Sequence, residues 1–202
     1  IETFYGTRQG NYRVLDSLAT LAFEYPKRPI FWRELKALFA LAEVESVDPG
    51  TIKGSYAGAM GYGQFIPTSY LAYAVDGDGD GKRDLWNNVA DAIFSVAAYF
   101  HDHGWQTGQP VIERARVTGE AFAAIANDNL KPGWTVADLR QKGVMPVVEL
   151  PASLSANLVQ LQGKQGAEFW VGLNNYYVIT RYNHSRLYAM AAYQLSEAIG
   201  HK

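Results

Sequence analysis

The chain has 202 residues, 48% of them hydrophobic and 19% charged, as expected of a globular protein that can bury a core. Its net charge of −2 gives no electrostatic support for nucleic-acid binding, and the absence of cysteine excludes disulfides and thiolate metal sites. No apolar run approaches the roughly 20 residues that a membrane-spanning helix needs. Ile1-Glu2-Thr3 has no signal-peptide character, so we expect any targeting segment to lie upstream.

Two helices are predicted in the first fifty residues. Asp16 or Ser17 can cap a short helix that Pro26 ends. A longer helix is predicted from Pro29, and the turn at 48–50 ends it. Its apolar residues recur at the spacing of one buried stripe. They are Phe31, Leu35, Leu38, Phe39 and Ala42.

The stretch from Gly54 to Asp91 has two unusual halves. The first half is too rich in glycine for a helix interior, and no strand-turn-helix frame supports a nucleotide-binding fingerprint. Its glycines are instead expected to allow close approach of the backbone, which leaves Ser55, Tyr62 and Gln64 to face a cleft. A short helix is predicted over 68–74.

The second half alternates Asp and Gly in the manner of a cation-binding loop. Asp76, Asp78, Asp80 and Gly81 match the opening of an EF-hand calcium loop. The twelfth position of that loop should be Glu but is Asn87. Three aspartates at alternate positions repel one another without a cation, so we predict calcium here; a solvated Asp/Gly turn is the alternative.

The chain changes from helix to mostly strand near Trp105. A helix is predicted over 88–103, with Gly104 at its C-cap and four side chains on its buried side: Ile93, Val96, Ala97 and Phe100. Residues 108–172 are then predicted to form a small, mostly β insertion.

Within this insertion we expect a strand over 111–117, a helix over 135–142 and an extended segment over 147–150. Segments 158–161 and 169–173 flank Gly163-Lys164-Gln165-Gly166, which indicates a hairpin. The chain then returns to helix, which Gly200 ends. Its residues in register are Leu187, Ala191, Leu195 and Ala198.

Candidate general acids are Glu2, Glu24, Glu34, Glu43 and Glu45. Spacing alone does not choose among them. We expect the side chains of Glu34, Glu43 and Glu45 to be solvated on helix surfaces.

Four stretches taken together resemble the lytic murein transglycosylase B family. The first is Glu2-Thr3-x-x-Gly6, and the second runs from Leu15-Asp16-x-Leu18 to Tyr25-Pro26. The third and most specific is KGSYAGAMGYGQFIP, residues 53–67, and the fourth is TRYNHS, residues 180–185, with Tyr188. The similarity covers nearly the whole chain and is weakest in the 108–172 insertion.

The resemblance implies an α+β, mainly α fold. Residues 1–107 would form a lysozyme-like catalytic core, which includes the calcium loop at 76–91. Residues 108–172 would form the β insertion, and residues 173–202 would return to the core. Family members cleave the β-1,4 bond between N-acetylmuramic acid and N-acetylglucosamine in peptidoglycan and form a 1,6-anhydro ring on the muramoyl product.

The resemblance also implies the site residues. Glu2 would act first as acid and then as base, in line with the lack of an evident second catalytic carboxylate. The substrate contacts would be Ser55, Tyr62, Gln64, Tyr99, Tyr182, Asn183 and Tyr188, although Tyr99 is nearly as well explained as a packing residue. A structural Ca²⁺ would be held by Asp76, Asp78, Asp80, the carbonyl of Lys82, and Asp91 in place of the twelfth-position Glu.

The implied location is the periplasm, either as part of a soluble parent or of one anchored to the outer membrane through an upstream segment. The implied partners are peptidoglycan glycan strands and proteins of cell-wall synthesis or remodelling, with the chain itself a monomer. Two alternatives stay open, a non-catalytic peptidoglycan-binding fragment and a hydrolytic muramidase on the same fold.

Overall fold

The structure, a computed structural model, describes residues 1–25 and 27–200; Pro26, predicted to end the first helix, lies outside the described residues. Helices and strands are both present, with more helix than strand. The described chain divides into two compact units between Tyr99 and Phe100. None of the described helices is long and apolar enough to cross a membrane.

The first unit contains two short strands, each followed by two helices. They are β1 (Tyr12–Arg13), α1 (Val14–Glu24), α2 (Ile30–Val44), β2 (Lys53–Gly54), α3 (Pro67–Tyr73) and most of α4 (Val89–Asp102). Strands β1 and β2 pair antiparallel, with Tyr12 opposite Gly54. Helix α1 begins two residues before the predicted cap, so Asp16 lies in its first turn, where it forms an ion pair with Arg13 at 2.6 Å.

Helix α2 begins close to the predicted position, but part of its predicted buried stripe is wrong. The buried face consists of Glu34, Leu35, Leu38, Leu41 and Ala42. Phe39, predicted to be buried, is 51% exposed, whereas Glu34, predicted to be solvated, is 1% exposed. The reason is a polar contact, since the backbone N–H of Thr68 at the start of α3 donates to the Glu34 carboxylate at 2.9 Å.

The predicted buried face of α4 is also wrong. Ile93 is 62% exposed, and the buried residues are Asp91, Ala92 and Ser95. Two of these are polar because they accept hydrogen bonds from the preceding loop, Asp91 from the backbone N–H of Gly77 at 2.8 Å and Ser95 from that of Val75 at 2.9 Å. The C-cap at Gly104 is confirmed, with a φ of +89° and its N–H donating to the carbonyl of His101.

The second unit is built on a five-stranded antiparallel sheet. Its strands are β3 (Ile112–Val117), β4 (Trp134–Thr135), β5 (Val144–Pro146), β6 (Ser155–Gly163) and β7 (Gly166–Gly172), in the order β4-β6-β7-β3-β5. The predicted hairpin is confirmed, because Gly163 pairs with Gly166 across its turn. The strand predicted at 147–150 is wrong by three residues, and the two-residue β4 was not predicted.

Helices cover both faces of this sheet. Helix α5 (Val136–Gln141), which confirms the helix predicted at 135–142, lies in a core with Leu158 and Val171. The neighbouring residue Val159 points to a second core with Tyr176 and Met190, as the alternation of a strand requires.

The predicted terminal helix is two helices, α6 (Asn174–Tyr182) and α7 (Arg186–Gly200). Its predicted register is wrong, because Leu187 is 66% exposed while Ala189 and Met190 are buried. The buried pair belongs to the core that covers the sheet through Ile112 and Val159.

Candidate active site and metal loop

The Glu2 segment, residues 1–8, turns back on itself through left-handed backbone at Phe4, Tyr5 and Gly6. Glu2 is half-buried and directly precedes Thr3, which is 3% exposed. The Thr3 hydroxyl donates to the carbonyl of Tyr62 at 3.0 Å and accepts from the N–H of Gly6 at 3.0 Å. One side chain therefore closes the Glu2 segment and joins it to the stretch 53–67.

The last position of the Glu2-Thr3-x-x-Gly6 motif requires glycine for a physical reason. Gly6 has a φ of +83°, and a Cβ built there would lie 2.0 Å from Cε1 of Tyr62. Both the backbone conformation and the space beside the Tyr62 ring require glycine. The motif thus packs the Glu2 segment against Tyr62, one of the predicted sugar contacts.

Two glutamines complete the connection between the segments. Gln9 donates through Nε2 to the carbonyls of Gly6, at 3.2 Å, and Trp86, at 2.8 Å. Gln64 donates through Nε2 to the carbonyls of Gln9, at 3.1 Å, and Gly61, at 3.0 Å. An amide nitrogen carries two protons, so the Gln64 group left to meet a ligand is the Oε1 acceptor. Sequence reasoning missed Gln9, because a glutamine between Arg8 and Gly10 gives no sign of distant partners.

Ser55 has the opposite hydrogen-bonding capacity. Its Oγ accepts the backbone N–H groups of Ala57, at 3.2 Å, and Ala59, at 3.1 Å. These bonds occupy the acceptor lone pairs of a hydroxyl and leave its proton to donate. Ser55 and Gln64 can therefore offer a ligand one donor and one acceptor from the same stretch.

The remaining candidate acids have other environments. Glu24 and Glu43 are exposed. The prediction of solvation is wrong for Glu34, whose carboxylate accepts both the N–H and the hydroxyl of Thr68 at 2.9 Å. It is also wrong for Glu45, whose side chain is 18% exposed and forms an ion pair with Arg83. Glu34 and Glu45 are thus engaged in structural contacts.

The predicted aromatic contacts occur in both compact units. In the first unit, Tyr99 of α4 meets Tyr73 edge-to-face with ring centroids 4.9 Å apart. In the second unit, the rings of Tyr182 and Tyr188 are nearly parallel, with centroids 6.5 Å apart and an interplanar angle of 9°. Asn183 follows α6 directly and is exposed. Each unit thus presents some of the side chains that the sequence singled out.

The Asp/Gly loop brings three carboxylates together. Oxygens of Asp76, Asp78 and Asp91 lie within 4.8 Å of one another. Such oxygens are the ligands that hard cations prefer, so this donor set fits Ca²⁺. Asp80 is not one of these three residues, and its Oδ1 accepts the N–H of Lys82 at 2.9 Å.

Backbone N–H groups stabilise this concentration of negative charge. Asp91 is 0% exposed and accepts the N–H groups of Gly77, at 2.8 Å, and Asp84, at 2.7 Å. Asp76 accepts the N–H of Gly81 at 2.8 Å and that of Gly79 at 2.7 Å. The hydrogen bond from Gly81, which contributes most, and the one from Gly79 lower the pKa of Asp76 from its ordinary value. Asp91 therefore connects the two ends of the loop.

Comparison with known proteins gives consistent matches over this whole framework. Residues 1–197 match the model of the transglycosylase SLT domain. The membrane-bound lytic murein transglycosylase B of Escherichia coli is 46% identical over 200 residues, which cover 98% of this chain and 54% of that protein.

Solved structures give the same result. Lytic transglycosylase SltB1 of Pseudomonas aeruginosa superposes with a TM-score of 0.95 at 46% identity, covering 99% of this chain and 66% of that one. Slt35 of Escherichia coli, solved in complex with calcium, gives 0.88 at 43% identity, covering 98% and 62%. The chain thus spans about half the length of the curated relative and under two thirds of these structures. The chain belongs to the family of transglycosylase SLT domains.

Proposed function

We propose that this chain is the catalytic part of a lytic transglycosylase with a lysozyme-like core. Its substrate is peptidoglycan, cleaved at the β-1,4 bond between N-acetylmuramic acid and N-acetylglucosamine. Family membership supports the reaction class. The observation that carries the proposal is the Thr3–Tyr62 hydrogen bond of 3.0 Å, which fixes the residue next to Glu2 on the stretch 53–67.

Glu2 performs both proton transfers in this mechanism. Its carboxylic acid protonates the glycosidic oxygen as the bond to the muramoyl C1 breaks. The resulting carboxylate then takes the proton of the muramoyl C6 hydroxyl, whose oxygen attacks C1 and closes the 1,6-anhydro ring. The substrate's own N-acetyl group stabilises the positive charge between the two steps, so no second carboxylate is needed.

The side chains around Glu2 hold the sugar next to the bond that breaks. Ser55 donates its hydroxyl proton to the sugar, because its oxygen already accepts two backbone N–H groups. Gln64 accepts a hydrogen bond from the sugar at Oε1, because its Nε2 already donates to two carbonyls. Tyr62, fixed beside Gly6, lies against the same sugar. Tyr99, Tyr182, Asn183 and Tyr188 contact neighbouring sugars, the tyrosines through their ring faces.

The loop 76–91 is an EF-hand-like site for a structural Ca²⁺. Asp76, Asp78 and Asp91 supply three carboxylates, and Asp80 and the Lys82 carbonyl complete the ligand set. The ion takes no part in the reaction. It neutralises the carboxylates and stabilises a loop whose residue Trp86 accepts the hydrogen bond of Gln9 at 2.8 Å.

The chain acts as a monomer in the periplasm on glycan strands. Its parent protein is either soluble or anchored to the outer membrane, and the membrane-bound relative favours an anchor. Its protein partners are proteins of cell-wall synthesis or remodelling.

Digestion of murein sacculi with mass spectrometry of the soluble products tests this function. The wild-type chain releases fragments that end in 1,6-anhydromuramic acid. Glu2→Gln, which keeps the size but cannot transfer the proton, lowers the release by about 10²–10⁴-fold. The matched control is Glu24→Gln, because Glu24 is exposed at the end of α1 and should leave the release unchanged.

Other outcomes of the same experiment support the alternatives. Products with reducing muramic acid ends would identify a hydrolytic muramidase. Binding of murein by both wild type and Glu2→Gln without release by either would identify a non-catalytic binding module.

A further inference from the structure

A cavity in the first unit is separate from all the residues assigned above to the sugar and to the proton transfers. It has a volume of about 530 Å³, within the range of small-ligand sites. Its walls come from the end of α2, from residues 51–53 and from residues 82–87. Neither Glu2 nor Ser55, Tyr62 or Gln64 lines it.

The inner wall is apolar and already ordered. Leu41, Ile52 and Tyr70 are buried at 0%, 6% and 1% exposure. The Tyr70 hydroxyl donates to the carbonyl of Arg83, and the indole N–H of Trp86 donates to the carbonyl of Lys53 at 3.0 Å. A ligand therefore meets fixed rings and loses little free energy to their ordering.

The charged groups at the cavity leave an excess of positive charge. Arg83 is paired with Glu45, and Asp84 accepts the backbone N–H groups of Trp86 and Asn87. The ammonium groups of Lys53 and Lys82 form no ion pair with any described residue. With Arg83 offset by Glu45 and one lysine offset by Asp84, the charged side chains that line the cavity carry one net positive charge, which favours a carboxylate over a cation.

We propose that this cavity binds the acidic peptide of peptidoglycan. A short peptide blocked at its N-terminus by muramic acid keeps a carboxylate at its other end for Lys53 and Lys82, and its apolar side chains fit the wall of Leu41, Ile52 and Trp86. Bare glycan has neither feature. The proposal rests on peptidoglycan being the substrate and adds a site that binds the peptide separately from the sugar.

Calorimetric titration with free peptide tests the site. The probe is the peptide that an amidase releases from murein, acetylated at its new N-terminus, and the comparison probe is the same peptide with its carboxylates methyl-esterified. We expect saturable one-to-one binding of the acid and at least tenfold weaker binding of the ester. Equal affinities for both, or no binding of the acid, would overturn the proposal.

Variants locate the binding. The Lys53→Ala/Lys82→Ala double variant should weaken binding at least tenfold, whereas Lys36→Ala/Lys131→Ala, at exposed lysines away from the cavity, should not. Val47→Trp fills the cavity from a position that is 44% exposed, so the fold tolerates it, and binding should be lost. Unchanged affinity in the lysine and tryptophan variants would overturn the proposal.

Kinetics separate this proposal from the proposed function. Val47→Trp should raise the KM for peptide-bearing glycan chains while leaving kcat and the cleavage of peptide-free chains unchanged. An equal KM for peptide-bearing chains in wild type and variant would contradict a role in substrate binding. Failure of the wild type to release anhydromuramoyl products would disprove the reaction alone, because the peptide titration does not depend on catalysis.

Discussion

Gly6 is a residue of the Glu2 segment at which an added side chain should be costly. In Gly6→Ala the new Cβ has to displace the Tyr62 ring from 2.0 Å, and the left-handed backbone costs an L-residue about 1–2 kcal/mol. We expect the free energy of unfolding, measured by urea denaturation, to fall by at least that amount, and anhydro-product release to fall more than tenfold as Tyr62 moves. Gly133→Ala is the control, because a Cβ there meets nothing within 4 Å.

A double variant separates the two causes. In a Tyr62→Ala background the ring is gone, so Gly6→Ala should cost only the backbone strain. An equal loss of stability with and without the ring would contradict the packing argument.

Glu34 is a buried carboxylate whose role is structural. It accepts two hydrogen bonds from Thr68 at 2.9 Å and one from Arg33 at 3.2 Å. Glu34→Gln turns one acceptor oxygen into a donor facing other donors, so we expect the free energy of unfolding to fall by about 2 kcal/mol. Glu43→Gln, at an exposed position of the same helix, is the control. A loss of less than about 0.5 kcal/mol would show that this network relaxes around the amide.

At the residue scale, sequence reasoning succeeded where short-range chemistry decides. The carboxylates of Asp76 and Asp78 were predicted from a local pattern, and the structure brings them together with Asp91. It failed for Glu34, because its partner Thr68 is 34 residues away and nothing near Glu34 indicates that contact. Glu2 was selected by resemblance, since five glutamates were otherwise equivalent candidates.

At the scale of elements, α5 shows how a six-residue helix is fixed by its first turn. Thr135 and Asp138 form a capping box in which the Thr135 hydroxyl accepts the Asp138 N–H at 3.1 Å. Thr135→Ala should lower the free energy of unfolding by about 1 kcal/mol at pH 7. Ser153→Ala, at an exposed position outside the sheet, is the control.

This loss should depend on pH. The Thr135 hydroxyl and N–H donate to Asp138 and lower its pKa below the ordinary value of 3.8. The lowered pKa stabilises the fold above pH 3.8, and this contribution disappears as the pH falls through the folded-state pKa. The difference between wild type and Thr135→Ala should therefore shrink on acidification. A difference that stays constant down to pH 2 would contradict the carboxylate's part in the cap.

The predicted elements were mostly correct, whereas the faces of three helices were not. Apolar periodicity located α2, α4 and α7, but the buried faces of α2 and α4 include Glu34, Asp91 and Ser95. These polar side chains are buried because they satisfy backbone N–H groups of other segments, a requirement that outweighs periodicity. In α7 the small residue Ala189 lies against the sheet, and Leu187 does not. Strands β4 and β5 are too short for an alternating pattern to reveal them.

At the scale of the whole molecule, the predicted site residues come from distant parts of the chain. Glu2, Ser55, Tyr62, Gln64 and Tyr99 belong to the first unit, and Tyr182, Asn183 and Tyr188 to the second. No local pattern links the first group to the second. Family resemblance provided that link, because it rests on motifs from both ends of the chain rather than on the spacing within one segment.

Calcium should set the stability of the first unit. The ion binds the folded loop and not the separated carboxylates of the unfolded chain, so a concentration 100 times the Kd adds about 2.7 kcal/mol. For a protein of this size that raises the Tm by roughly 5–10 °C. Scanning calorimetry in calcium and then in excess chelator measures the shift. Asp78→Asn should abolish it, whereas Asp102→Asn, at an exposed site outside the loop, should keep it. Equal Tm values in calcium and chelator for the wild type would show that backbone N–H groups alone hold Asp76 and Asp91 together, and that the loop needs no ion.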